Sequence, residues 1–395
     1  MKKPTFNTKV KLYSLELLVI LFLIGCSKSD VTDDSIPIDP DPNPPLEEIR
    51  VEEVDESVRH FMQQYGVTGA SVAFTKDEQL VYARGYGFAD ETTGDEVTTS
   101  SLFRISSISK SVTSIAIMTL IEEGKLSLDD KVFGPQGILG NQYGKQPYGR
   151  YITDIKVKHL LQHSSGGWSN QNNDPTMQDQ SLSKEGLLEW ILHNRPLDFA
   201  PGTRYIYSNV GYLIAGLIIE ELSGMSYEDY VDAILLEPLG IEDMYIGGST
   251  YEDKLPQEVR YHSDAAYDYN FERRDANGGW IATPIALLRL FVSIDGFDRV
   301  PDILEPGTIN MMTTPSLVNE NYAAGFTVDS YNTWSHSGSF YGSRSYSVIR
   351  TQNGFSGVIF VNSTSGGSFS SDLQEIVVGA INDNKIEWPN QDLFN

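Results

Sequence analysis

The sequence predicts an α+β fold: one antiparallel sheet built from both ends of the chain, covered by terminal helices, with a mostly helical stretch inserted between its halves. Two observations carry this. Hairpin signatures stand near each end, at residues 69–86 and 343–362, while the stretch between them carries helical spacing and loops. Each hairpin is also flanked on its outer side by a helical stripe, at 46–65 and at 371–382.

The elements follow in order. Residues 1–25 pair a basic start with the apolar run 17–24, too short to span a bilayer and suited to the core of a secretory signal. Leu23-Ile24-Gly25-Cys26 then resembles a bacterial lipobox. The resemblance implies cleavage before Cys26 and acylation of its thiol and new amino terminus, the alternative being an ordinary signal with an incidental cysteine. Ser27 rather than aspartate follows, which by likeness to lipoprotein sorting favours the outer membrane of a Gram-negative cell envelope. Residues 26–45 hold five prolines and five aspartates and read as an extended tether.

Ordered structure is expected from Leu46, with a stripe at Leu46, Ile49, Val54, Val58, Phe61, Met62 and Tyr65 that Gly66 ends. Strands at 69–76 and 79–86 enclose a polar turn. Phe103 leads into a helix with apolar Ile108, Val112, Ile115, Ile117, Leu120 and Ile121, read as one buried face and closed at Gly124. Residues 134–151 read as a surface excursion. Helices follow at 157–162, 187–192, 211–222 and 227–236, and Thr283-Pro284 caps and starts another. Gln352-Asn353-Gly354 joins the last two strands. The boundaries expected are 46–105 and 280–395 for a sheet lobe and 106–279 for a helical lobe, with the active site between them.

Composition excludes some functions. The net charge is −25, and −28 once residues 1–25, with four lysines against Glu16, are removed, so nucleic acid is not an expected partner. The one cysteine, Cys26, offers neither a disulfide nor a thiolate metal site. His159 and His163 stand four apart, but His-Leu-Leu-Gln-His lacks the glutamate of zinc peptidases, so structural roles are expected and no metal or cofactor. Oligomeric state is open.

The chemistry accumulates at three short stretches. Ser107 and Lys110 share one side of a helix start, where a desolvated amine can take a proton from the serine hydroxyl. Tyr207-Ser208-Asn209 offers a phenol to relay that proton and an amide to hold Lys110 or a substrate carbonyl. His336-Ser337-Gly338-Ser339 lies on a strand, where Gly338 would let a substrate backbone approach and the Ser339 amide could join that of Ser107 in an oxyanion site.

In this order the three resemble the serine β-lactamase and penicillin-binding family, whose signature is Ser-x-x-Lys, Ser-Asp-Asn and Lys-Thr-Gly. Tyr-x-Asn resembles the branch of class C β-lactamases, D-alanyl-D-alanine peptidases carrying His-Thr-Gly, and related esterases. The likeness runs over about residues 50–385. It implies a β-lactamase/transpeptidase-like fold, Ser107 as acylated nucleophile, Lys110 and Tyr207 as the base pair, Asn209 as a positioner, and Ser107 and Ser339 as oxyanion amides. His336 departs from the lysine of true class C lactamases, so peptide or ester hydrolysis is expected above efficient β-lactam hydrolysis. His336 is expected to meet an anionic substrate only when protonated, with Arg344 as a cation that does not titrate. The other reading is a catalytically silent receptor or scaffold binding cell-wall fragments. An α/β-hydrolase esterase is excluded, because no serine here sits in Gly-x-Ser-x-Gly.

Overall fold

Seven strands form the main sheet in the order β3-β2-β1-β10-β9-β8-β7, every pairing antiparallel. They are β1 (Gly69–Lys76), β2 (Gln79–Asp90), β3 (Asp95–Glu96), β7 (Thr327–Val328), β8 (Trp334–Phe340), β9 (Ser343–Arg350) and β10 (Phe355–Val361). The structure is a computed structural model that describes residues 49–394. The leader, the lipobox with Cys26, the tether and Leu46 lie outside the described residues.

The two hairpins meet at the centre, where β1 pairs with β10 from Ala70↔Val361 to Lys76↔Phe355. The first hairpin turns through Asp77 and Glu78, both at positive φ (49° and 62°), as a two-residue turn between right-twisted strands demands. Helix α1 (Glu52–Tyr65) and helix α9 (Phe369–Asn382) cover one face. Phe61 and Tyr65 lie 5.0 and 5.1 Å from the Phe369 ring. Gly66, at φ 64°, donates its N–H to Met62 O and stops α1 as expected. Ile49 is buried but precedes the helix.

The other face carries the larger core, built around α2 (Ser109–Glu122) and α5 (Asn209–Ser223). Every residue of α2 from Ser109 to Leu120 is buried, which corrects the reading of one apolar face. Its polar side consists of small hydroxyls that can be buried because each finds a partner: Ser111 donates to Gly325 O at 2.7 Å and Thr113 to Ala276 O at 2.6 Å. Between α2 and α5 come α3 (Val157–Leu161) and α4 (Lys184–Asn194), and α6 (Tyr227–Val231) follows α5. Residues 134–151 hold no regular element, yet Leu139 within them is buried beside Val132 and Phe133, so the excursion is anchored.

A second, three-stranded sheet escaped the sequence reading. It has the order β4-β6-β5, from β4 (Phe103–Arg104), β5 (Met244–Ile246) and β6 (Trp280–Ala282). By pairing Phe103 with Ala282 it holds residues 275–279 against the start of α2. Helix α7 (Pro284–Val292) starts where expected, with the Thr283 side chain accepting the Ala286 N–H, while α8 (Pro306–Thr313) was not foreseen.

Candidate active site

Ser107 sits in a single 3-10 turn, Ser106–Ile108, that joins β4 to α2. Ser106 before it is held at φ 50°, a conformation that costs a non-glycine residue energy and is kept only where the surroundings impose it. Those surroundings are β8 and β9. Ser345 Oγ donates to Ile105 O at 2.8 Å, and an added Cβ on Gly338 would lie 2.2 Å from the same carbonyl and 3.0 Å from Ser106 Cβ. Gly338 therefore admits the turn that carries Ser107 against the strand, which corrects its expected role of admitting substrate. The Ser107 N–H, in the first turn, has no partner within the helix and is free to bind an oxyanion.

Lys110, one turn on, is fully buried. Its Nζ lies 3.1 Å from Ser107 Oγ and donates to Asn277 O at 2.6 Å. Burial, and next the Arg274 guanidinium, push the Lys110 amine well below the usual lysine range, so it can stand neutral and accept a proton. The carbonyl that orients it comes from Asn277 rather than from Asn209, the expected holder. Tyr207 is half-buried, its ring centre 5.2 Å from Lys110 Nζ. Burial raises its phenol pKa, a hydrogen bond with Ser107 offsets part of this, and the group stays protonated at neutral pH. Base and phenol thus differ in role, with Lys110 positioned to take a proton and Tyr207 to give or pass one.

Asn209 begins α5, its N–H donating to Asn170 Oδ1 and its Nδ2 to Asp174 Oδ2, both at 2.7 Å. The amide nitrogen expected to hold a substrate carbonyl is thereby bound to a carboxylate. The amide oxygen is buried without a partner.

These residues border a cavity of about 980 Å³, within the range of small-ligand sites. Ser107, Tyr207, Asn209, Ser339 and Arg344 line it, as do Asp174 and Arg274, which the sequence did not reveal. Among the described residues neither Arg274 nor Arg344 has an ion-pair partner, and both leave Nε unbonded.

His336 borders the cavity too but does not serve as expected. Its side chain is buried, with Nδ1 2.8 Å from Ser337 O and Nε2 3.2 Å from Tyr322 Oη. Burial first, and then Lys110 whenever that amine is protonated, bring its pKa down to about 3, so it is neutral at neutral pH and presents no cation to a carboxylate. The zinc reading of the other pair has no support in the geometry. His159 Nδ1 accepts the Lys156 N–H, and both nitrogens of buried His163 are occupied, by Ser208 N and Tyr322 Oη.

A family model described as Beta-lactamase matches residues 54–380. "Protein flp" of Staphylococcus aureus (strain NCTC 8325 / PS 47) is 25% identical over 321 residues, covering 79% of this chain. The chain spans 63% of that relative's length. A putative D-alanyl-D-alanine carboxypeptidase of Escherichia coli O157:H7 is 27% identical over 241 residues, covering 57% of this chain and 54% of the relative. Among solved structures, the octameric penicillin-binding protein homologue from Pyrococcus abyssi superposes with a TM-score of 0.68 at 25% identity, covering 85% of this chain and 78% of that one.

Proposed function

The chain belongs to the beta-lactamase family, and from that membership we propose that it is a serine hydrolase that acylates Ser107 and hydrolyses an amide or ester bond. The observation that carries the proposal is Lys110 Nζ, desolvated and 3.1 Å from Ser107 Oγ at the edge of a ligand-sized cavity. Neutral Lys110 removes the Ser107 proton as Oγ bonds to the acyl carbon. The carbonyl electron pair moves to oxygen, and the Ser107 and Ser339 amides would receive it there. Collapse breaks the bond to the leaving group, which takes a proton from Tyr207 as Lys110 returns its own to the phenol oxygen. Water then repeats the sequence against the acyl-enzyme and frees Ser107.

Candidate substrates are D-amino-acid peptides of the cell wall, β-lactams and esters. With His336 neutral, a substrate carboxylate is met by Arg344, a cavity-lining cation without an ion-pair partner among the described residues. Residues 1–25 as a secretory leader and Cys26 as a lipid anchor to the envelope complete the proposal.

The test is intact-mass detection of an adduct after exposure to a penicillin and, separately, to an activated ester. An adduct on wild type that is missing from Ser107→Ala, with a loss in turnover on the order of 10⁴-fold, is the expected result. Turnover or an adduct surviving in Ser107→Ala would refute it. A wild type that binds cell-wall fragments and is never acylated would be a silent receptor.

A further inference from the structure

Along the wall of the cavity five groups form one hydrogen-bonded line. Its ends are backbone atoms, whose polarity is not negotiable. At one end the Ser208 N–H donates to His163 Nδ1 at 3.2 Å, so the His163 proton must sit on Nε2. That nitrogen is 3.1 Å from Tyr322 Oη and donates to it. At the other end Ser337 O, an acceptor only, lies 2.8 Å from His336 Nδ1, so the His336 proton sits there and Nε2 is a lone pair. Tyr322 Oη, 3.2 Å away, must donate to that lone pair. With these protons the four hydrogen bonds all run from Ser208 towards Ser337, and Tyr212 is a further hydrogen-bond neighbour of Tyr322.

We propose that His163, Tyr322 and His336 are positioning residues, a neutral one-way line that holds the Tyr207-Ser208-Asn209 segment in register with the His336–Ser339 strand across the nucleophile. The proposal rests on the hydrolase reading above. His163 packs directly on the Tyr207 ring, centres 4.1 Å apart, and binds the next residue's amide, so its place sets where the phenol stands over Ser107. The other end sets the strand that carries the Ser339 amide, and Ser347 Oγ fixes the same strand by donating to His336 O at 3.1 Å.

The ionisable groups around the line are Lys110, which opposes protonation of both histidines whenever it carries a proton, and Tyr205, Tyr207 and Tyr212, which face Tyr322. Ser208, His163, Tyr322 and His336 are buried, whereas Ser337, at the end of the line, is exposed. A proton added to His336 would set an N–H against the Tyr322 O–H, and one added to His163 would set an N–H against the Ser208 N–H. The line also accounts for histidine at 336. A protonated lysine has donors only, so it could not receive the Tyr322 hydroxyl.

Nitrogen-resolved NMR of the histidine rings in the wild-type chain tests the line without reference to activity. His336, identified by the signal lost in His336→Gln, is expected as the Nδ1–H tautomer and His163 as the Nε2–H tautomer, with both rings neutral at neutral pH. Either ring in the opposite tautomer, or as an imidazolium at neutral pH, overturns the line even if the protein is an active hydrolase. With an activated ester, Tyr322→Phe should lower kcat on the order of 10- to 100-fold with KM within about twofold, since it misplaces groups without removing a substrate contact. An unchanged kcat in folded Tyr322→Phe refutes the positioning role. His336→Lys should lower acylation equally for a carboxylate substrate and its methyl ester, and a selective gain for the carboxylate would overturn the proposal.

Discussion

Gly338→Ala is a small change with a large expected effect. The added methyl would lie 2.1 Å from Ser345 Oγ, 2.2 Å from Ile105 O and 3.0 Å from Ser106 Cβ. The first two atoms are the partners of one hydrogen bond, 2.8 Å long, that ties β9 to the nucleophile's turn. A serine hydroxyl can rotate away, but the Ile105 carbonyl is main chain. To reach an ordinary contact of 3.4 Å it must retreat by roughly 1 Å, and it moves with Ser106 and Ser107 attached. A displacement of that size at a reacting group costs on the order of 10²-fold in rate, while overpacking costs about 1–3 kcal/mol in stability. The assay is the acylation rate with an activated ester, paired with thermal unfolding. Gly338→Ala should be slow and melt a few degrees early, and adding Ser345→Ala should recover only part of either loss because the carbonyl clash remains. Wild-type acylation and melting in Gly338→Ala would show that β8 can give way here, and the account of the strained turn would fail.

Lys110→Ala and Tyr207→Phe should each slow acylation by at least about 10²-fold, and the double variant should lose far less than the product, because the two handle one proton in turn; multiplying losses would refute the shared role. Arg274→Gln removes the cation that helps keep Lys110 neutral, so the Lys110 pKa should rise and the acid limb of the kcat/KM profile should move to higher pH; an unmoved limb would show that burial alone suffices. For stability against pH, burial first and then Lys158 and Lys156 depress His159 to about 4. Its unfolded form binds a proton below about 6.5, so the stability it contributes is complete above that pH and drains away as pH falls towards 4. Denaturant titrations across this window should show His159→Gln with a shallower slope than wild type, and equal slopes would contradict the assignment.

The hairpins and terminal helices were legible because each spans enough residues for its period to show, and because Gly66 ends α1 and Gly354 marks the turn of the second hairpin. The three-stranded sheet was not, since strands of two or three residues have no measurable period. Ser107, Lys110 and Tyr207, which the fold brings together, could be picked out because their chemistry lies in side chains within short motifs. Asn277 was missed because it acts through its carbonyl, which any residue possesses, and Arg274 because its influence on Lys110 exists only in the folded protein. His336 was misread for a related reason. An ordinary histidine pKa presumes solvent, and sequence does not show that both ring nitrogens have buried partners. Asn209 was read as free in the same way, with Asp174 out of view until the fold brought it near.

The pairing of β1 with β10 has a consequence for how the molecule comes into being. On the ribosome, β1 emerges almost three hundred residues ahead of the strand that completes its other edge. A nascent chain that ends before Phe355 has the first hairpin with one edge open, a ready template for pairing with a neighbouring chain. Ile105 O likewise waits for Ser345. The strained turn that carries Ser107 therefore lacks its Ser345 partner until synthesis has reached the second hairpin. Such long closures slow folding, so a period in the care of a holding chaperone is part of this architecture's cost.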